Sequence, residues 1–280
     1  MASTACGPGL PTVPPVAPTP TATREIGHFV WYDLLTTDVP AVQEFYASLF
    51  GWTFEAEPDG GGVDFVTIRH EGRAIGGMVA TGDLERDVNV SQWVASLSVL
   101  DVDSAAARVT RLGGEIVNEP RDLPDRGRTA LVRDDQGALL ALLASSSGDP
   151  PVDRTRTGAW LWTELWSRDI DSSVEFYSGL LDYEVATVEG GGAEEYRVLS
   201  VRDIPRAGIL EYELPELHPN WVPYVLVDDP DDLVGRVEAL GGRVLIAPNP
   251  DIRNGSVALI ADPSGAALTI QRWPPEGQDR

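Results

Sequence analysis

The sequence predicts an α+β protein: four β-α-β-β-β modules in two tandem domains with curved mixed sheets. Three observations predict it. Residues 27–52 (GHFVWYDLLTTDVPAVQEFYASLFGW) and 158–183 (GAWLWTELWSRDIDSSVEFYSGLLDY) align without a gap at an offset of 131, with identities at Trp31/Trp162, Asp38/Asp169, Glu44/Glu175 and Phe45-Tyr46/Phe176-Tyr177. The repeat resumes at an offset of 128: residues 92–103 answer to 220–231, Leu112-Gly113-Gly114 to Leu240-Gly241-Gly242, and 127–142 to 255–270. A unit of this size is an ordinary domain, so the chain is two homologous ones. Within each copy, short apolar runs alternate twice with helical patterns.

The elements follow in order. Residues 29–35 are apolar and aromatic and read as a strand. Asp38 then caps a helix carrying Val42, Phe45, Tyr46 and Leu49 at helical spacing, which Gly51 stops. Residues 52–57, 63–70 and 75–80 read as strands, with Gly60-Gly61-Gly62 as the hairpin loop between the first two. Residues 93–100 form the next strand, and Asp101 or Asp103 caps a helix ending at Gly113-Gly114. Residues 115–118, 129–134 and 138–143 complete the domain. The domain limits are 26–145 and 158–273, with a Pro/Thr-rich disordered leader at 1–25, a linker at 146–157 and a tail at 274–280.

A chain of 280 residues can bury two modest cores. Its net charge of -23 repels phosphate backbones and anionic lipid, so nucleic acid and membrane are excluded as partners. The single cysteine, Cys6, forbids an intramolecular disulfide and a thiolate metal cluster, and fits a reducing compartment. No apolar run is long enough to span a bilayer, and the N-terminus lacks the charged and apolar regions of a signal peptide. The expectation is a cytoplasmic protein, monomeric or homodimeric.

The run D-x-x-x-x-x-E-F-Y followed by L-x-G/D-W/Y, and D-P-S-G-A at 262–266 before the last strand, resemble the glyoxalase, bleomycin-resistance and extradiol-dioxygenase (vicinal oxygen chelate) superfamily. W-x-D/E-L with the following motifs is similar to an actinobacterial subgroup of tandem proteins that includes mycobacterial culture-filtrate antigens and streptomycete proteins called hydroxylases. The resemblance implies two glyoxalase-like domains, each curled around an open cleft that holds a metal or a small molecule.

Metal-dependent members place a ligand on the first strand, seven residues before the capping Asp, which here falls on Trp31 and Trp162. The fifth-strand ligand falls on Val94 and Val222, and the closing carboxylate on Ala141 and Thr269. Trp, Val and Ala have no lone pair for a divalent cation, and one Thr hydroxyl cannot build a site. His28, His70 and His218 share no ligand spacing. The expectation is therefore no metal and no cofactor.

Strand alternation places Phe29, Trp31 and Asp33 on one face, matched by Trp160, Trp162, Glu164 and Trp166 in the second copy. Val94 and Ser96 line the partner strand of the first cleft; Val222 and Tyr224 line that of the second, with Ala141 and Thr269 on the closing strands. Such aromatic walls suit a flat, largely apolar ligand, although the same tryptophans would also fill a curved sheet. Asp33 and Glu164 stand two residues after the strand tryptophans. Among aromatic rings a carboxylate becomes a candidate general base, and the alternative is a salt bridge that holds the strand mouth.

The leading functional expectation is metal-independent binding of a small apolar or aromatic natural product or metabolite, in antibiotic sequestration or as a biosynthetic accessory. The alternatives are a metal-free biosynthetic enzyme (proton transfer, cyclisation or epoxide opening), a metal-dependent lyase or dioxygenase with migrated ligands, and a structural protein with an idle fold.

Overall fold

A computed structural model describes residues 13–57, 65–81, 91–188, 195–212 and 218–274. The glycine loops at 60–62 and 190–192, Cys6 and the tail from 275 lie outside the described residues.

The first domain runs β1 (Phe29–Thr36), α1 (Val39–Phe50), β2 (Thr53–Ala56), β3 (Phe65–His70), β4 (Arg73–Ala80), β5 (Gln92–Ser98), α2 (Val102–Arg111), β6 (Glu115–Leu123), β7 (Gly127–Arg133) and β8 (Leu139–Ser145). The second repeats it: β9 (Trp160–Ser167), α3 (Ile170–Leu181), β10 (Glu184–Thr187), β11 (Tyr196–Val201), β12 (Ile204–Glu211), β13 (Asn220–Leu226), α4 (Pro230–Val237), β14 (Arg243–Ile246), β15 (Val257–Ala261) and β16 (Ala267–Gln271). Two modules join through an antiparallel pair at the centre, β1 with β5 and β9 with β13, into one eight-stranded mixed sheet per domain. The orders are β2-β3-β4-β1-β5-β8-β7-β6 and β10-β11-β12-β9-β13-β16-β15-β14.

The helix ends follow local chemistry. The carboxylates of Asp38, Asp101 and Asp169 accept the amides of Ala41, Ser104 and Ser172, meeting donors that the first turn leaves free. Gly51 ends α1 at φ 69°, a conformation that glycine adopts without strain. No helix among the described residues is long and apolar enough to cross a membrane.

The two expected cores are one. A single apolar cluster takes Phe45, Tyr46, Trp52 and Trp93 from the first domain and Phe176, Tyr177, Trp221 and Ile260 from the second. α1 packs on α4 and α2 on α3. The repeated Phe-Tyr motif locks this junction reciprocally. The Tyr46 hydroxyl donates to Asp262 Oδ2 at 3.2 Å, and the Tyr177 hydroxyl donates to Asp134 Oδ2 at 2.9 Å. Each tyrosine also accepts an indole N–H from its own domain, Trp93 at 3.1 Å and Trp221 at 2.7 Å. The remaining oxygen of each aspartate holds its own turn, accepting the amides of Ala138 and Ala266. Burial, reinforced by the adjacent carboxylate, raises both tyrosines well above the ordinary range, so both stay protonated donors. These exchanged contacts make an approximate two-fold axis between the halves.

The leader differs from expectation. Val16 is fully buried with Trp31 and Leu143. The Ala17 amide donates to Ser147 Oγ, the Glu25 amide to Asp149 Oδ2 at 2.6 Å, and Arg126 Nε to the Pro14 carbonyl at 2.7 Å. Residues 13–25 therefore lie against the first domain, because the linker supplies acceptors and the sheet supplies an apolar seat.

Candidate functional site

Beyond the repeat's helix motifs, each sheet carries one carboxylate on its first strand, buried in the second domain and half-buried in the first. The strands position it by simple alternation, with one exception. The register of β1 on β5 shifts between Phe29 and Trp31, and that of β9 on β13 shifts between Trp160 and Trp162. The bulge turns Phe29 and Trp160 off the cleft and into the shared core. Phe29 packs tilted against Trp221 at 4.5 Å between ring centres, and Trp160 packs tilted against Tyr32 at 4.4 Å and edge-on to Trp93 at 5.1 Å. This corrects the strict alternation expected for these two residues. Trp31, Asp33, Val94, Ser96 and Ala141 share the concave face of the first sheet, while Trp162, Glu164, Trp166, Val222, Tyr224 and Thr269 share that of the second. Ser96 pairs with both Trp31 and Ala141, and Tyr224 with both Trp162 and Thr269.

In the second domain the carboxylate is sealed. Glu164 is 0 % exposed. Its Oε1 accepts Arg253 Nη2 at 2.7 Å and the Tyr196 hydroxyl at 2.7 Å, and its Oε2 accepts the Tyr224 hydroxyl. Trp162 Nε1 donates to the Tyr196 oxygen at 3.0 Å. Burial, and then Glu164, holds both tyrosines above their usual pKa, so each remains a donor to the carboxylate. Three protein donors meet the Glu164 carboxylate, two on Oε1 and one on Oε2, so it serves as the hub of an ion-paired network.

In the first domain the same position is less enclosed. Asp33 Oδ1 accepts Trp31 Nε1 at 2.8 Å, and Oδ2 lies 3.5 Å from Arg126 Nη1. The Asp33 side chain is 24 % exposed. Where the second domain places Tyr196 and Tyr224, this one has Phe65 and Ser96, which send no hydroxyl to the carboxylate. The space beside Asp33 exists because residue 77 is glycine: a Cβ there would fall 2.2 Å from Oδ1 and 2.3 Å from the Phe65 ring. Burial raises the Asp33 pKa, opposed by Arg126 and by the Trp31 hydrogen bond. The Arg126 guanidinium sits 4.5 Å over the Trp31 ring, and its Nη2 is buried without a partner.

Neither constellation fits a divalent metal. The expected fifth-strand positions Val94 and Val222 stand opposite Asp33 and Glu164, and the residues aligned with Trp31 and Trp162 across the sheet are instead Ser96 with Ala141 and Tyr224 with Thr269; by either register the three positions of each half hold no carboxylate or imidazole. Among the described residues no group of three or more His, Cys, Asp or Glu could hold a metal ion.

Trp31 and Trp162, from these two faces, also border a cavity at the junction of the domains. About 430 Å³ opens between β1 and β9, near the two-fold axis. It is walled by Phe29, Val30, Trp31 and Tyr32 from one strand and by their repeat counterparts Trp160, Leu161 and Trp162 from the other. The leader around Val16, the linker around Val152 and the β3–β4 hairpin close it. Tyr32 reaches Thr163 Oγ1 at 2.6 Å, and Trp160 Nε1 donates to the Ile75 carbonyl at 2.8 Å, fixing both walls across the junction.

Sequence reasoning missed Arg126 and Arg253. Arg126 stands one residue before Gly127 and Arg253 two before Gly255, so the repeat alignment pairs them with Asn254 and Asp125 and gives no signal for either. It also missed the leader and linker as cavity walls, since their composition carries no sign of where they dock.

A sequence profile described as the Glyoxalase/Bleomycin resistance protein/Dioxygenase superfamily matches residues 25–142 and 160–270. The chain is 29% identical over 247 residues to CFP32 of Mycobacterium tuberculosis, which carries a glyoxylase name, covering 88% of this chain and 95% of that protein. It is 28% identical over 253 residues to the anthracycline biosynthesis protein DnrV of Streptomyces peucetius, covering 86% and 91%. Among solved structures, the Mn(II)-bound glyoxalase from Novosphingobium aromaticivorans superposes with a TM-score of 0.58 at 16% identity, covering 89% of this chain and 83% of that one. A homoprotocatechuate 2,3-dioxygenase variant from B. fuscum does so at 0.60 and 16%, covering 96% and 74%. These low-identity likenesses speak to fold alone. With both repeats matched, the chain belongs to the glyoxalase/bleomycin resistance protein/dioxygenase superfamily.

Proposed function

We propose that this protein binds a flat, largely apolar natural product or metabolite, without a metal, in the cavity between β1 and β9. The observation that carries this reading is the cavity itself: about 430 Å³ walled by Phe29, Trp31, Tyr32, Trp160 and Trp162. That volume and aromatic lining match a drug-sized planar ligand. The relatives DauV and DnrV are named for anthracycline biosynthesis, a pathway of fused planar rings, which supports an accessory role for this chain near such molecules. Antibiotic sequestration would use the same cavity. Titration with anthracene and anthraquinone compounds should quench tryptophan emission saturably at one equivalent. A panel of such compounds that leaves the emission unchanged would remove the reading.

One observation favours a second reading, metal-free proton transfer in biosynthesis. Asp33 combines partial exposure with a raised pKa, the condition of a usable general base. Asp33 does not line the cavity, so this reading needs a substrate against the first sheet itself; if such turnover is found, Asp33→Asn should abolish it. Full turnover by that variant would end this alternative.

A further inference from the structure

We infer that Arg154, in the linker between the two domains, is an anion seat that takes the carboxylate of a small organic acid. Arg154 does not line the cavity between β1 and β9, so this seat is independent of the binding role proposed there.

Among the described residues, every other arginine that is not exposed has a carboxylate oxygen within 3.8 Å. Arg154 is half-buried and has none. Its guanidinium lies 5.0 Å over the Trp162 ring, which holds it flat without neutralising it. Burial lowers its pKa, the Tyr32 hydroxyl opposes that, the Arg206 charge adds to it, and no carboxylate contributes. Arg206 is itself committed to Glu25, at 2.6 Å. His28, held neutral down to about pH 4 by burial and then by the Arg154 charge, supplies no counter-charge. Of two neighbouring guanidinium groups, only one is therefore answered, in a chain whose net charge is -23. Half-buried arginines are rarely left in that state, and an anion supplies what is missing.

The atoms that would meet the anion are accessible. Only the Arg154 Nε is buried, so the two terminal nitrogens, which meet no acceptor among the described residues, remain open to solvent. The linker presents them in a fixed place. On either side of Arg154, Asp153 Oδ1 accepts the Thr155 amide at 3.2 Å and hydroxyl at 2.7 Å, and Arg156 pairs with both Asp153 and Glu71 at 2.7 Å. Two terminal N–H groups form a planar fork that a carboxylate meets with parallel hydrogen bonds. A phosphate dianion fits this seat less well, because one unanswered charge cannot balance two and the surrounding acidic surface repels the excess.

The test titrates the full chain with benzoate, benzamide and inorganic phosphate at constant ionic strength, following the NMR signals of the Arg154 guanidinium and the Trp162 indole. Benzoate should bind at least about tenfold more tightly than benzamide, the ratio expected of one charge-assisted pair. Phosphate should move the Arg154 signals less than benzoate at equal concentration. Arg154→Met should erase the preference for benzoate at the Trp162 signal, and Arg154→Lys, which keeps the charge without the fork, should retain part of it. Absence of any response to benzoate, equal binding of benzoate and benzamide, or a preference that survives in Arg154→Met overturns the inference. A stronger response to phosphate overturns the carboxylate assignment. Each of these results leaves the cavity reading where it stood, since that reading is tested with uncharged ring compounds.

Discussion

Asp33 and Glu164 occupy matching positions in the two domains, each beside a strand tryptophan and across from an arginine, yet their surroundings differ. Glu164 is enclosed by two tyrosine hydroxyls and a guanidinium. Asp33 keeps the tryptophan and the arginine, but Phe65 and Ser96 replace the tyrosines. The loss of two tyrosine hydroxyls, a shorter carboxylate and an arginine from a different position thus separate a structural ion pair from a carboxylate that solvent can reach. Duplicated positions share geometry more faithfully than they share chemical duty.

Removing the arginines should break this comparison most sharply. Arg253→Met leaves Glu164 charged and buried, at a cost of about 3–5 kcal/mol. Arg126→Met leaves the partly exposed Asp33, which water can solvate, and should cost about 1 kcal/mol or less. Urea denaturation of both variants reads the difference, and equal losses would show that the two sites are equally dry.

His28 gives a second contrast, since its repeat counterpart is Ala159. Burial, aided by the Arg154 charge, lowers its pKa to about 4. The unfolded chain binds this proton between about pH 6.5 and 4 while the folded chain does not, so stability falls as pH falls through that window, by up to about 3 kcal/mol. His28→Ala should flatten the profile there. A profile that keeps its slope would place the dependence on other groups.

The two interdomain tyrosines should behave alike. Tyr46→Phe and Tyr177→Phe each leave a buried aspartate oxygen and an indole N–H short of a partner, costing about 1–3 kcal/mol. Thermal unfolding should remain a single transition in both. Separate melting of the domains would contradict the shared core.

Val16→Ala removes about 1.5 kcal/mol of burial and loosens only the leader, read as faster proteolysis before residue 25 with little change in the midpoint. The smallest effect belongs to Asp33→Asn. Because the folded carboxyl holds its proton to higher pH than the unfolded one near ~3.9, native stability falls as pH rises through the folded pKa. The variant should lack that share of the fall, which has the opposite sign to the His28 contribution.

The fold was legible because repetition and helix caps are local signals: Asp38 and Asp169 mark the same helix start twice. Faces were legible wherever the strand was regular, as at Trp31 and Trp162. They failed at Phe29 and Trp160, where a bulge adds one residue that no periodicity announces. The cavity was not legible at all. Beyond β1 and β9, its walls come from the leader, the linker and the β3–β4 hairpin, and their composition carries no sign of where they dock.

The exchanged Tyr46–Asp262 and Tyr177–Asp134 contacts carry a consequence for how the chain came to be divided in labour. Each half ends its own wiring on the other, as two copies of a homodimer would. Tethering those copies in one polypeptide replaces association at ambient concentration with an effective concentration in the ~mM range. From that point one half is at liberty to lose a function so long as the other retains it. The pair Asp33/Glu164 is where the two halves already differ.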